Sequence, residues 1–151
     1  MLLTAAVLAI FVYGIIAAML GTILPALSEK FKLSPKQNGS IAMAQAIGLM
    51  IGSFFVGPFS DVQGLKIGLL IGLGLIAIAL VGLRTAGGYG AVQGLMLVLG
   101  IGGGAVVVAA NGLPPSIKIQ SLTPAGVSNL LNLFFGLGGL VTPLVAAQLF
   151  K

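Results

Sequence analysis

The sequence predicts an all-α protein, a polytopic bundle of about five transmembrane helices, and two observations support this fold class. Only 6% of the 151 residues are charged, whereas a soluble domain has roughly 25% charged residues. The charged residues also leave five uncharged runs, and each run reaches the range of about 17–25 apolar residues that a membrane-spanning helix needs. These runs are Met1–Ser28, Gln37–Ser60, Ile67–Leu83, Thr85–Ile117 and Ile119–Phe150. We therefore expect hydrocarbon, and not water, to surround most of the chain.

The five predicted spans form one bundle over residues 1–151, and short polar or glycine-rich connectors separate them. The spans cover residues 3–26, 39–59, 65–84, 90–113 and 125–150. The first ends near Pro25, and Ser34 followed by Pro35 predicts a short helical lead-in to the second, because serine caps helices and proline favours their first turn. Gly64 precedes the third span and Gly88 the fourth, while the fifth follows Pro124. Such short links predict antiparallel neighbours.

Small residues recur every four positions along two of these spans. Ala44, Gly48 and Gly52 do so in the second, and Gly100 and Gly104 do so in the fourth. Rows of this kind let helix backbones approach closely in lipid. The spacing predicts that both helices pack against protein.

The composition argues against an enzyme, a cofactor-binding protein and a nucleic-acid-binding protein. The chain has no Cys and no His, which excludes disulfides and Cys- or His-based metal sites. Its two carboxylates lie about thirty residues apart, so no pair of general acid and base is visible. The glycines of Gly100–Ala105 match a dinucleotide-binding turn, but that turn needs an acidic residue about 20 positions later. Both acids, Glu29 and Asp61, lie upstream. The net charge of +5 comes from few residues near span ends, which favours contact with lipid headgroups. We expect no cofactor and no metal.

The strongest local motif lies between the second and third spans. It comprises Gly57, Asp61, Gly64 and Lys66, and it resembles the loop signature of the major facilitator superfamily of secondary transporters. Val62 and Leu65 replace two basic residues of that signature. We expect Asp61 to face the positive end of the next helix dipole and Gly64 to permit a tight turn.

Further stretches resemble the fucose/glucose permease-like branch of that superfamily, in order along the chain. They are Gly21–Pro25, Phe31–Gly39, Gly102–Asn111 and Asn129–Gly138 followed by Pro143. The resemblance implies the N-terminal half of a transporter. Val107 stands where sugar-permease relatives often carry an acidic residue for proton coupling, which speaks against coupling there.

The resemblance also implies an incomplete six-helix half, since the family transports solutes between two six-span halves. About five spans cannot form both walls of a transport site. A transporting chain would therefore pair with itself or with another membrane chain.

Polar side chains inside spans are the candidates for binding a solute, because such groups are costly in lipid unless they are used or partnered. The candidates are Gln45, Asn111, Asn129 and Asn132. Their amides both donate and accept hydrogen bonds, which suits a sugar or another small polar solute. Bonds between helices explain the same residues equally well, and we favour that role for Tyr13.

The membrane orientation has two conflicting indications. The family places the N-terminus and the Asp61 loop in the cytoplasm of a cell (inner) membrane. The positive-inside rule points the other way, since Lys66 and Lys118 lie on that side against five basic residues opposite. We keep the family orientation.

Two functions stay open at this stage. The first is a transporter-derived bundle for a small polar solute. The alternative is a non-transporting integral subunit that serves as a scaffold in a larger membrane complex. A chain fragment without independent function is a third reading.

Overall fold

The computed structural model describes the backbone of residues 2–112 and 123–149. It describes the side chains in these ranges except those of 2, 57, 60, 61 and 145–149. The described residues form five helices and the links between them. Each helix is long and apolar enough to cross a membrane, and the described residues contain no strand. The predicted fold class is therefore confirmed. The helices are α1 (Leu2–Phe31), α2 (Pro35–Gln63), α3 (Leu65–Thr85), α4 (Tyr89–Asn111) and α5 (Pro124–Leu149).

The link between α1 and α2 is tight because both helix ends are capped. Lys32 has a left-handed φ of 51°, and the Leu33 amide donates 2.9 Å back to the Ser28 carbonyl, which is the bonding of a Schellman end. Ser34 then forms a capping box with Gln37: the Gln37 amide donates to Ser34 Oγ and the Ser34 amide donates to Gln37 Oε1. The predicted lead-in is thus the first turn of α2.

The link between α2 and α3 is a single residue. Gly64 has a φ of 94°, a backbone conformation that glycine adopts without strain, so the predicted tight turn is confirmed. Helix α2 continues to Gln63, several residues past the end expected at 59. Asp61 therefore lies in the last turns of a helix and not in an open loop.

Helices α2 and α4 form the most extensive contact in the bundle. A Cβ on Gly48 would collide with the Leu97 carbonyl oxygen, and one on Gly100 would collide with the Gln45 carbonyl oxygen. A Cβ on Gly52 or on Gly104 would likewise collide with a backbone carbonyl oxygen of the partner helix. The small-residue rows therefore do what their spacing predicts, since only glycine lets the two backbones meet at this distance.

Helices α1 and α5 repeat this arrangement. A Cβ on Gly14 would collide with the Phe135 carbonyl oxygen, and one on Gly138 would collide with that of Phe11. Thr142 adds a 2.8 Å hydrogen bond from its Oγ1 to the Ile15 carbonyl oxygen. When α1 is matched with α4 and α2 is matched with α5, the α2–α4 contact corresponds to the α5–α1 contact. The bundle thus contains the same glycine-lined helix pair twice.

Helix α4 is the centre of the bundle. It packs against α2 and α3 extensively and against α1 to a lesser degree, and half of its spanning window is buried, against 22–28% in the other helices. Its buried residues Leu99, Val106 and Ala109 belong to a core that α1, α3 and α5 complete with Ile10, Ile76 and Leu131 among others. The other four helices therefore leave most of their surface for lipid or for partners.

Candidate functional site

Gln45 lies in the α2–α4 contact and is only 9% exposed. Its backbone carbonyl faces Gly100, near the middle of α4. A solute would therefore reach the Gln45 amide only if neighbouring helices separated.

Asn111 is the last residue of α4 and is exposed. Its Nδ2 donates 2.8 Å to the Val107 carbonyl oxygen of the same helix. It follows Gly100 by eleven positions, so it lies roughly 16 Å along the helix axis from the level of Gln45. The structure does not bring these two predicted residues into one site.

Asn129 and Asn132 lie on the exposed face of α5. The opposite face of α5 carries the buried residues Val127, Leu131 and Thr142, as expected for a helix whose residues repeat every 3.6 positions. Both asparagines are in the first half of α5, and α5 begins at the end of the bundle where α4 finishes. They therefore lie towards the same end of the bundle as Asn111.

These exposed amides need a polar environment. A polar group that faces hydrocarbon without a hydrogen-bond partner costs free energy. Asn111 has an intrahelical bond for one of its donors, and each amide offers further donors and acceptors. The exposed ends of α4 and α5 are thus the part of the bundle best suited to meet water, a polar solute or a polar partner.

One polar pair between helices was not singled out from the sequence. Gln93 Nε2 donates 2.7 Å to Ser40 Oγ, which joins the start of α4 to the first half of α2. The pair lines a groove of about 350 Å³ with Met43, Ile47 and Leu97. Both residues are polar positions within largely apolar helices, and this polarity is the feature of the sequence that could have indicated the pair.

A second polar cluster missed by the sequence analysis closes the α1–α2 link. Asn38 Nδ2 donates 3.0 Å to Ser28 Oγ, and Ser28 Oγ donates 3.4 Å to the Leu33 carbonyl oxygen. The Asn38 Oδ1 atom is buried without a hydrogen-bond partner. These bonds fix the geometry of the link at one membrane face.

Tyr13 lies where α1, α4 and α5 meet. It is 2% exposed, and its ring lies 5.8 Å from the Phe135 ring and covers Gly103. Tyr13 therefore contributes to the packing of three helices, and the bond between helices that the sequence favours for it stays a prediction.

The loop-signature residues lie at the opposite end of α2 from the capped α1–α2 link. Gly64 forms the turn described above, and Lys66 is exposed in the first turn of α3. The side chains of Gly57 and Asp61 lie outside the described residues, so the expected contact of Asp61 with the helix dipole stays a prediction.

The described residues contain no cluster of three or more His, Cys, Asp or Glu side chains that could hold a metal ion. Apart from Lys36 and Asp61 near the two ends of α2, the polar side chains on α2, α4 and α5 are amides and hydroxyls. Such groups bind by hydrogen bonding, which is the chemistry of recognition of a neutral polar molecule.

Comparison with protein families gives one result. A sequence model described as Major Facilitator Superfamily matches residues 6–151, which is nearly the whole chain. Comparison with curated proteins and with solved structures gives no match.

Proposed function

The chain belongs to the major facilitator superfamily, and on that premise we propose that it is the N-terminal bundle of a secondary transporter for a small polar solute such as a sugar. Family membership and the five apolar helices make it a transporter-type integral membrane protein. The solute class, the branch of the family and the partner are parts of the proposal.

The repeated glycine-lined helix pair supports the bundle assignment. Halves of major facilitator transporters contain two three-helix repeats of inverted topology. Here α1–α3 would be the first repeat, and α4 and α5 would begin the second. A contact between the second helix of one repeat and the first helix of the other then occurs twice, once in each direction. The α2–α4 and α1–α5 contacts have this relationship. In each of them a glycine of one helix lies against a backbone carbonyl oxygen of the other.

The exposed asparagines support a polar and neutral solute. Asn111, Asn129 and Asn132 offer amide donors and acceptors near one end of the bundle, and sugar hydroxyls pair with such groups. The sequence resemblance to the fucose/glucose permease-like branch favours a sugar in particular.

Transport by this bundle requires a second bundle. Alternating access is a rocking of one bundle against another around a site near the bilayer midplane. We propose that a second bundle supplies the opposing wall, and that the transporter resides in the cell (inner) membrane.

The test is uptake into proteoliposomes that contain the purified protein. Radiolabelled monosaccharides and polyols are offered singly, and saturable uptake of at least one is expected. The double variant Asn129→Ala/Asn132→Ala should raise the KM for that solute about tenfold or more, since each lost hydrogen bond contributes on the order of 1 kcal/mol. The control is Gln63→Ala, which removes an exposed amide from the last turn of α2, at the same end of the bundle but on another helix.

The outcomes separate the proposal from its rival. Saturable uptake with a raised KM in the double variant supports a sugar-transporting bundle. Absence of flux for every solute offered would contradict a sugar-transporting bundle, and a stoichiometric foreign membrane protein in the same material would then favour a scaffolding subunit. An equal rise in KM for Gln63→Ala would show that the asparagines are not part of the solute site.

A further inference from the structure

Contacts among the five helices divide the bundle into two units. Helix α1 packs extensively against α5, and α4 packs extensively against both α2 and α3. Between these two sets the packing is weaker, since α1 meets α4 less extensively and α4 barely touches α5. We call α1 with α5 the paired unit and α2, α3 and α4 the three-helix unit. The boundary between the two units is the seam.

The close backbone contacts that glycine permits lie within the units. In the three-helix unit, Gly102 of α4 approaches the Gly72 carbonyl oxygen of α3, in addition to the α2–α4 contacts described above. In the paired unit, Gly14 and Gly138 form the α1–α5 contact. Among the described glycines, the close approach across the seam is that of Gly103 in α4, and it meets the side-chain ring of Tyr13 in α1.

Hydrogen bonds between helices follow the same division. The bond between Gln93 and Ser40 joins α4 to α2, and that of Thr142 joins α5 to α1. Among the described side chains, the bond that crosses the seam runs from Asn38 in α2 to Ser28 in α1. Backbone packing and hydrogen bonds hold helices together in lipid, where the hydrophobic driving force is absent. The helices within each unit are therefore held more firmly than the two units are held to each other.

The seam is fixed most firmly at the membrane face of the α1–α2 link. The Asn38–Ser28 bond lies there, and Ile23 and Leu27 of α1 pack on an apolar cluster of the three-helix unit. At the opposite face the described contacts across the seam are between apolar residues, which lipid replaces at little cost. The connection at that face is also longer, since α4 ends at Asn111 and α5 begins at Pro124.

We propose that the paired unit rotates as a rigid body against the three-helix unit, with the α1–α2 link as the hinge and the seam opening at the opposite face. Rigid-body rotation at an interface of packed side chains is an established form of conformational change. A rotation of about 10° moves helix ends that lie roughly 30 Å from the hinge by about 5 Å. Tyr13 and Gly103 form the contact that slides. The proposal depends on contacts between described helices and not on surfaces that are open.

The rotation changes the distance between two groups of the amides assigned above to solute binding. Asn111 belongs to the three-helix unit, whereas Asn129 and Asn132 belong to the paired unit. All three lie towards the face that opens. A solute that bonds to both groups therefore closes the seam. This consequence rests on the proposed function, whereas the rotation itself does not.

Distances between pairs of nitroxide labels test the rotation, measured by pulsed electron paramagnetic resonance on the full chain in lipid nanodiscs. The chain has no native cysteine, so a double-cysteine variant carries only two labels. The pair Lys66→Cys/Ala125→Cys spans the seam at the opening face, and its distances should spread over about 5 Å. The pair Lys30→Cys/Gly90→Cys spans the seam beside the hinge and should give one narrow distribution. All four positions are exposed.

Two control pairs stay within one unit. Lys66→Cys/Gly90→Cys lies in the three-helix unit, and Leu8→Cys/Leu144→Cys lies in the paired unit. These positions are exposed as well. Both pairs should give narrow distributions, because the helices of a unit move together.

A wedge in the seam provides a second test. Gly103→Ala places a methyl group against the Tyr13 ring and should shift the distances between labels at positions 66 and 125 to longer values. Gly94→Ala, in the same helix but with nothing within 4 Å of its Cβ position, should leave them unchanged. Adding Tyr13→Leu to Gly103→Ala removes the ring and should restore the original distances.

The outcomes separate the rotation from the transport proposal. A narrow distribution for the pair at 66 and 125, in both the unmodified protein and Gly103→Ala, would show one rigid bundle and overturn the rotation. Equally broad distributions for all four pairs would overturn the division into two units. A monosaccharide that the protein takes up should narrow the distribution at 66 and 125, and a broad distribution that ignores it would remove the coupling to the solute. If no monosaccharide is taken up, the distances without solute still decide the rotation.

Discussion

Single glycines decide how closely the helices of this bundle approach. Gly100 in α4 faces the Gln45 carbonyl oxygen of α2 so closely that a Cβ cannot be accommodated. Gly94, six residues earlier in the same helix, has nothing within 4 Å of the position where a Cβ would lie. The two positions share a helix and differ only in what faces them.

We predict opposite effects of alanine at these two glycines. Gly100→Ala should force α2 and α4 apart and lower the free energy of unfolding by about 1–3 kcal/mol, as overpacking does. Gly94→Ala should leave stability unchanged or raise it by up to about 1 kcal/mol, because alanine favours the helix. Unfolding by SDS titration in mixed micelles measures both. Equal destabilisation by the two variants would contradict the α2–α4 packing.

The spacing of small residues indicated the glycine contacts, whereas the polar residues of the predicted site follow no comparable pattern. A four-residue spacing of small residues defines a helix face whatever its partner is, so Gly48, Gly52, Gly100 and Gly104 could be assigned to packing before their partners were known. An amide in a span has no such signature. Gln45 and Asn129 look alike in the sequence, yet one is buried between helices and the other is exposed.

At the scale of the helix, α2 begins where its capping box places it. Ser34 and Gln37 exchange hydrogen bonds with each other's backbone amides, and the helix begins at Pro35. The sequence indicated this start through the Ser34–Pro35 pair, and the helix continues to Gln63, four residues beyond the predicted end of the second span. Polar residues such as Ser60 and Asp61 suggested a loop, whereas the chain turns at Gly64, whose φ of 94° is a conformation that glycine adopts without strain.

We predict that Ser34→Ala frays the start of α2. Loss of an N-cap side chain costs about 1 kcal/mol, and the amides of Gln37 and Asn38 should exchange their hydrogen several times faster in deuterated buffer. The exposed neighbour substitution Lys36→Ala is the control and should leave their exchange unchanged. Hydrogen exchange followed by mass spectrometry gives the comparison, and unchanged protection in Ser34→Ala would argue against the capping box.

The α1–α5 contact depends on one hydroxyl as well as on glycine. Thr142 Oγ1 reaches the Ile15 carbonyl oxygen across the two helices, whereas Thr22 Oγ1 bonds the Met19 carbonyl oxygen of its own helix. Thr142→Val should lower the free energy of unfolding by about 0.6 kcal/mol, the average for such bonds in membranes. Thr22→Val should have a smaller effect, since it removes no contact between helices. A larger loss in Thr22→Val would be inconsistent with this assignment.

At the scale of the whole molecule, the transporter assignment depends on five helices that cross a bilayer in alternating directions. The sequence predicted the number of helices because runs of about 20 apolar residues have few other structures available to them. It could not predict that α2 pairs with α4 and α1 with α5, since the periodicity of a helix defines its buried face but not its neighbour. The orientation also stayed divided between the family's arrangement and the distribution of lysines.

The most direct test is the accessibility of single cysteines from either side of a sealed membrane. The chain has no native cysteine, so a single introduced cysteine is labelled without background from other thiols. Three variants each place one cysteine at a link or helix end: Lys32→Cys, Lys66→Cys and Gly87→Cys. In oriented vesicles, a membrane-impermeant maleimide should label positions 32 and 87 from one side and position 66 only from the other, with position 66 cytoplasmic in the family orientation. Labelling of all three positions from the same side would contradict a bundle whose helices cross the bilayer.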